Sequence, residues 1–454
     1  MPDFGALEGF TLEKMRENRI PGLSISIVAN DEIQYARGLG FSDISSGLPA
    51  TPRTLYGIGS VTKSFTALAI MQLAQEGKLN VEDPVEKYVP DIPRVLGQPP
   101  TIHHLMTHSS GLPLLGYGEA FISGVLGFDN SWLPVSSPED IITFMRDAQD
   151  WAVCKPGERF FYLNEGYVLL GYIISKISGL TYEEYVQKRI LAPLGMSRTF
   201  FSRADVEKDN DRATAYIIDK EGKHIPSTFP YGITSDGGLI SNVLDLANYI
   251  RMCLNSGEFN GKTIIKQKMF EAMEEPHITL PYESPLGKES YGYGWGVTHN
   301  FFGHKLIDHG GDVGVYKAYV GYIKEKKIGV AVLANPSKYL LTNVGMFALA
   351  QLLDKDPQAL PFVKHDRILN NLQGEYETYK GTMKFRIKRA GNFLIAELKD
   401  RYTEESIPLV PERLGEDRST FFTISEGTKL TTEFTVRDGK VEWIFERYKA
   451  RKKG

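Results

Sequence analysis

The sequence predicts an α/β (α+β) protein: one antiparallel sheet flanked by helices, with a helical middle region, followed by a small all-β domain. Three observations carry this reading. Strand-like apolar runs occur near residue 22 and again near residue 330, with helical periodicity between them. Composition then shifts near residue 355, where prolines and mixed charges interrupt the patterning. Beyond about residue 370 the chain changes to period-two alternation. Strands bracketing a helical middle imply one sheet assembled from distant segments, with helices on its faces.

Taken in order, GLSISIV at 22–28 reads as a strand, and Asp31–Glu32 turns the chain into a second at 33–37. Ser60 opens the helical stretch SVTKSFTALAIMQLAQEG, with Val61, Phe65, Leu68 and Ala69 as its apolar residues and Gly77 as its stop. Residues 80–280 read as mainly helical with many loops, including a helix pair at 167–177 and 181–190 split by Gly179. Strands return at 306–308, 316–323 and 327–334, and a helix follows at 342–353. The run DKDPQALPFVKHD makes 356–369 a linker, which leaves a first domain at 1–355 and a second at 370–454. In the second, KFRIK, NFLIAEL and EFTVRDGKVEWIF alternate, the last as a hairpin about Asp438–Gly439. These short strands predict a small antiparallel barrel or sandwich, with the basic tail RYKARKKG as a solvated end.

Composition narrows the function. With 52 Lys+Arg against 56 Asp+Glu, the net charge of −4 gives no footprint for nucleic acid. The 42% hydrophobic content supplies a packed core and excludes a largely disordered chain. Cys154 and Cys253 form no metal or redox spacing and read as buried small hydrophobes. Asp3, Glu8, Glu13 and Glu17 occupy the start of the chain, where a secretory signal would need an apolar stretch. The longest apolar runs, 167–174 and 328–334, fall far short of the ~18 residues of a membrane span. The expectation is a soluble cytoplasmic protein with no membrane partner.

Three short elements could carry chemistry. Ser60-Val61-Thr62-Lys63 is the sole Ser-x-x-Lys in the chain, preceded by Gly57 and Gly59 at a helix start. The i, i+3 spacing puts both side chains on one face. A serine at a helix start has its own N–H placed to hold an oxyanion, and a desolvated lysine beside it can lose its proton. Alone, the motif fits an N-cap serine and a surface lysine equally well. In PGERFFYLNEGYVLLG, Tyr162 could serve as a general base and Asn164 could donate its amide to a substrate carbonyl. A buried aromatic and a turn asparagine would explain that triplet too. In Asp308-His309-Gly310-Gly311, glycines beside a strand-edge histidine would let a substrate backbone approach. His103, His104 and His108 lack carboxylate or cysteine partners in sequence, so no metal site is assigned.

In that order, Ser-x-x-Lys, Tyr-x-Asn and His-x-Gly, the chain resembles the serine hydrolases of the penicillin-binding-protein and class C β-lactamase-like group, the CubicO type. The resemblance extends over about 10–350 and rests on LYGIGSVTKSFTA, TIHHLMTHSSGLP, PGERFFYLNEGYVLLG, SDGGLISNVLDLA, YGYGWGV and DHGG, among other stretches. It implies a β-lactamase/transpeptidase-like sheet. It also implies Ser60 as acylated nucleophile, Lys63 as its proton-accepting or tuning partner, and Tyr162 as general base or acid. Asn164 would be a substrate ligand. His309 would stand where many relatives have Lys-Thr-Gly, with Gly311 in the substrate strand and the second oxyanion N–H from Asp312. The region after 370 resembles the lipocalin-like barrel of some CubicO-group peptidases and D-aminopeptidases.

The resemblance therefore implies a serine peptidase cleaving amide bonds of small peptides, without cofactor or metal. An esterase comes second and a β-lactamase third, because acylation chemistry is shared and the pocket decides. His309 in place of a lysine removes a charge that would attract a carboxylate, which leans away from antibiotic hydrolysis. A non-catalytic sensor or scaffold is disfavoured by the intact Ser60, Lys63 and Tyr162. The barrel reads as packing over the mouth of the site or as joining subunits in a homo-oligomer, its interior filled by residues such as Val441, Trp443 and Phe445.

Overall fold

The computed structural model describes residues 4–128, 133, 135–232, 234–336, 338–399 and 401–453. They form two compact units, 1–355 and 356–454. The first is built on a nine-stranded sheet. Across it lie Ile278–Thr279, Glu289–Tyr291, Gly296–Phe301, His304–Asp312, Lys317–Ile323, Ile328–Ala334, Gly22–Ala29, Glu32–Asp43 and Leu48–Pro49. The centre of the sheet joins distant chain segments, as expected: Leu23 pairs with Ala334 and Ala29 with Ile328, antiparallel. Both central strands are buried almost throughout, which explains their continuous apolar runs.

Helices cover both faces. Tyr319 and Tyr322 lie three positions apart on one strand and so point to opposite faces. Tyr319 packs against Gly345 of the helix Leu341–Leu352. On the other face Gly329, the ladder partner of Tyr322, meets Ile250 of the helix Val243–Leu254. The helix Asn164–Ser178 ends at Gly179, at φ 71°, and Thr181 opens the next helix with a capping box to Glu184. The expected helix split at Gly179 is thus observed, for the left-handed C-cap reason that glycine satisfies. The three strands within 278–301 are absent from the sequence reading: two have only two and three residues, and the third, Gly296–Phe301, buries the adjacent Val297 and Thr298 and so does not alternate.

The second unit is a closed antiparallel barrel of eight strands between Gly374 and Lys452, each paired with its sequence neighbour. Its interior holds Tyr376, Phe385, Phe421, Phe434, Trp443 and Phe445, and Trp443 donates Nε1–H to Thr432 Oγ1 at 2.7 Å. Asp438 and Gly439 both have positive φ, as a tight hairpin turn requires.

Two expectations need correction here. The stretch 356–369 is not a linker: it holds a 3₁₀ turn at Pro357–Ala359 and most of the helix Pro361–Leu372. Ile368, Leu369 and Leu372 of that helix enter the barrel core. Both prolines stand at the first helical position, where their missing N–H costs nothing, so they start helices here rather than break them. The basic tail is not a solvated end either. Tyr448–Lys452 is the last strand and closes the barrel through Tyr376 opposite Lys452. Its period was masked because Lys449 and Arg451 point outward to Glu442 while Ala450 faces in. Among the described residues, no helix is long and apolar enough to cross a membrane.

Candidate active site

Ser60 sits in a 3₁₀ turn, Gly59–Val61, that runs directly into the helix Thr62–Gln75. Two glycines allow the end of the strand His304–Asp312 to press against this turn. Gly59 has φ 51°, and a Cβ there would lie 2.7 Å from the Asp312 nitrogen. At Gly311 a Cβ would lie 1.9 Å from the Ile58 carbonyl oxygen. The backbones of Ser60 and Asp312 are thereby brought together at one end of a cleft of about 420 Å³. Tyr162, Asn164, Asp236, His309 and Gly311 also border it.

Lys63 is fully buried one helical turn beyond Ser60. Its Nζ donates to Asn164 Oδ1 at 2.8 Å, to the Asp236 carbonyl at 2.7 Å and to Ser60 Oγ at 3.1 Å. It also lies 4.9 Å from the centre of the Tyr162 ring and 5.5 Å from that of Tyr167. The Asn164 and Asp236 oxygens can only accept. A neutral amine therefore keeps both bonds and turns its lone pair to Ser60, whereas an ammonium donates to all three. Proton exchange with Ser60 needs no rearrangement. With Asn164 Oδ1 held by Lys63, the amide Nδ2 lies against Gly118, on the cleft wall.

Tyr162 is held by its neighbours. The His108 ring stacks on it at 4.1 Å, and His108 Nδ1 accepts from the Leu163 N–H at 2.9 Å. Burial holds His108 well below the ordinary histidine range, and the nearby Lys63 charge adds to this. The ring is thus neutral, with its proton on Nε2. His108 packs on the Tyr162 ring and ties down the backbone of the next residue, Leu163.

His309 borders the cleft, but both of its ring nitrogens are committed. Nδ1 donates to the Gly310 carbonyl at 2.6 Å, so Nε2 accepts from the Tyr291 hydroxyl at 2.8 Å. Burial first, then the Lys63 charge, lowers its pKa to about 4. The ring is thus neutral at the cleft wall, hydrogen-bonded through both nitrogens. The Asp312 carboxylate turns to Lys317 at 2.7 Å, leaving its backbone to the site.

Behind the wall lies a group the sequence reading missed. The Asp236 carboxylate accepts from Tyr117 Oη at 2.5 Å, and Glu165 Oε1 from the Tyr117 N–H at 3.1 Å. Burial raises Glu165 to about 7. Asp236 lay in the quoted SDGG run and Glu165 directly follows Asn164, but neither spacing gave a sign that the two would meet through Tyr117.

A family model described as Beta-lactamase matches residues 7–351. The chain belongs to that β-lactamase family. A second model, the Pab87 octamerisation domain, matches 357–451. Among solved structures, the octameric penicillin-binding protein homologue from Pyrococcus abyssi superposes with a TM-score of 0.94 at 52% identity, covering 99% of this chain and 100% of that one. Among curated proteins, Protein flp of Staphylococcus aureus (strain NCTC 8325 / PS 47) is 29% identical over 330 residues, 71% of this chain and 61% of that protein. Penicillin-binding protein 4* of Bacillus subtilis (strain 168) is 28% identical over 310 residues, 65% of this chain and 64% of that protein. The chain thus spans 61–64% of the length of these two curated relatives. The β-lactamase-family match covers every residue of the cleft described above.

Proposed function

We propose that this β-lactamase-family chain is a serine peptidase that hydrolyses amide bonds of small peptides through an acyl-enzyme on Ser60. The observation that carries the reading is the placement of Lys63, buried and hydrogen-bonded to Ser60 Oγ in a geometry that serves both of its protonation states. Ser60 Oγ attacks the substrate carbonyl carbon as its proton passes to Lys63. The backbone N–H groups of Ser60 and Asp312 receive the oxyanion. Lys63 gives that proton up toward the departing amine as the C–N bond breaks, through the Tyr162 hydroxyl, which gives one proton to the amine as it takes one from the lysine side. Water then attacks the acyl carbon and releases the acid by the reverse path. Asn164 Nδ2 holds a substrate carbonyl, with Gly311 beside it.

In this reading residues 1–355 are the catalytic domain and 356–454 an assembly domain. The octamerisation-domain match and the full-length likeness to an octameric homologue support self-association of this chain, which light scattering tests.

A fluorophosphonate probe followed by intact mass tests the nucleophile: one adduct, lost in Ser60→Ala, is expected. A peptide-library digest containing D- and L-residues tests the substrate class. Probe labelling with ester turnover but no peptide cleavage would replace the peptidase by an esterase, and labelling elsewhere than Ser60 would remove the mechanism.

A further inference from the structure

The charges bordering the cleft do not balance. Lys317 is tied to Asp312, and His309 is neutral, with both nitrogens bonded. Asp236 is buried behind Tyr117, with Lys63 offsetting its charge. Glu119 remains. It is exposed on the helix Tyr117–Leu126, borders the same cleft, and has no hydrogen-bond or ion-pair partner among the described residues. It directly follows Gly118, the residue lying against Asn164 Nδ2, so its place in the chain is beside the amide that faces substrate.

The ground behind Glu119 is acidic as well. Glu165 is fully buried and its Oε2 lacks a partner, while Glu119 and Asp236 both act on it as like charges. Among the described residues no unpaired cation borders the cleft to receive a substrate carboxylate. The unpaired charge presented to solvent there is negative.

We propose that Glu119 is a specificity residue of this cleft that binds a primary ammonium group of the substrate, supplied by a free peptide N-terminus or by a lysine side chain. The proposal rests on the peptidase reading for the peptide character of the substrate. The ammonium donates to the Glu119 carboxylate, an exposed and therefore salt-sensitive pair.

Calorimetric binding to the full-length Ser60→Ala protein separates this proposal from turnover. The ligands are tri-alanine amide, its N-acetyl form and N-acetyl-Lys-Ala-Ala amide. One or both amines should bind about tenfold tighter than the neutral peptide, the size of one charge-assisted hydrogen bond. The preference should fall with added salt, vanish in Ser60→Ala/Glu119→Gln and persist in part in Ser60→Ala/Glu119→Asp. Which amine carries the preference identifies the source of the ammonium. Equal binding of all three peptides, absence of binding by both amines at millimolar concentration, or a preference that survives Glu119→Gln would overturn the proposal. If the ammonium preference holds while the Ser60 protein cleaves no amide, the peptidase reading fails and the role of Glu119 stands.

Discussion

Lys63 has no water-facing surface and three oxygen partners, so a change at this position acts on the proposed proton path and on the packing of Asn164 and Asp236 together. Lys63→Arg should lower kcat by about 10²–10⁴-fold, nearly as much as Lys63→Ala, because a guanidinium does not lose its proton and cannot occupy a compact three-acceptor site. Steady-state kinetics on any substrate the parent cleaves, with circular dichroism to confirm folding, reads this.

Two buried titratable groups, His309 and Glu165, predict opposed pH effects on stability. His309 titrates near 4 in the folded protein against an ordinary 6.5. The unfolded chain therefore binds that proton more readily, and the His309 contribution, complete above pH 6.5, is lost as pH falls from 6.5 toward 4. Glu165, raised to about 7 from an ordinary 4.5, behaves in the opposite sense: its contribution is complete below pH 4.5 and is lost as pH rises through 7. Denaturant unfolding across this pH range should show a shallower acid-side decline in His309→Gln and a shallower neutral-side decline in Glu165→Gln. Unaltered slopes in both would mean that neither group titrates as its burial requires.

At the scale of elements, the meeting of the Ser60 turn with the end of the His304–Asp312 strand is the most exacting contact. Gly311→Ala would drive a Cβ to 1.9 Å from the Ile58 carbonyl, so strand and turn must separate. We expect a loss of about 1–3 kcal/mol in stability and a fall in kcat/KM of more than about tenfold, since the proposed oxyanion pair of Ser60 and Asp312 would be pulled apart. Thermal unfolding alongside fluorophosphonate labelling rates checks both. This contact also marks where sequence reading stops. The Ser60 helix and the two central strands were legible because each is a long, largely apolar run buried on nearly every side. The pairing of Gly59 with Gly311 is a property of two backbones, written in sequence only as glycines. The positions of His108, Tyr117 and Asp236 depend likewise on loops whose meeting no local pattern encodes. The misread helix Pro361–Leu372 has a different cause, since a proline opens a helix as readily as it interrupts one.

At the scale of the whole molecule, the barrel's closure depends on its last strand. Removing 446–454 would leave the strands Gly374–Glu377 and Lys440–Phe445 with unpaired edges, which are templates for non-native pairing. Such a truncation should lose any native oligomer and tend to aggregate, while the Ser60 cleft, which lies wholly in the other unit, still labels with a small fluorophosphonate. Light scattering and labelling of the soluble fraction test the two halves of this statement. An unchanged oligomer would show that assembly does not require a closed barrel.

The joining of residue 23 to residue 334 has a temporal consequence. Ribosomes extend a chain at about 5–20 residues per second, so the strand Gly22–Ala29 emerges on the order of tens of seconds before the strand that flanks it in the finished sheet. During that interval it can pair with Glu32–Asp43 on one side only, and its apolar residues are without their final cover. The nascent chain is thus most vulnerable at its beginning, and slow or stalled synthesis before residue 330 should cost more soluble protein than stalling after it. The barrel, whose strands each pair with the one just made, waits only for its final seam.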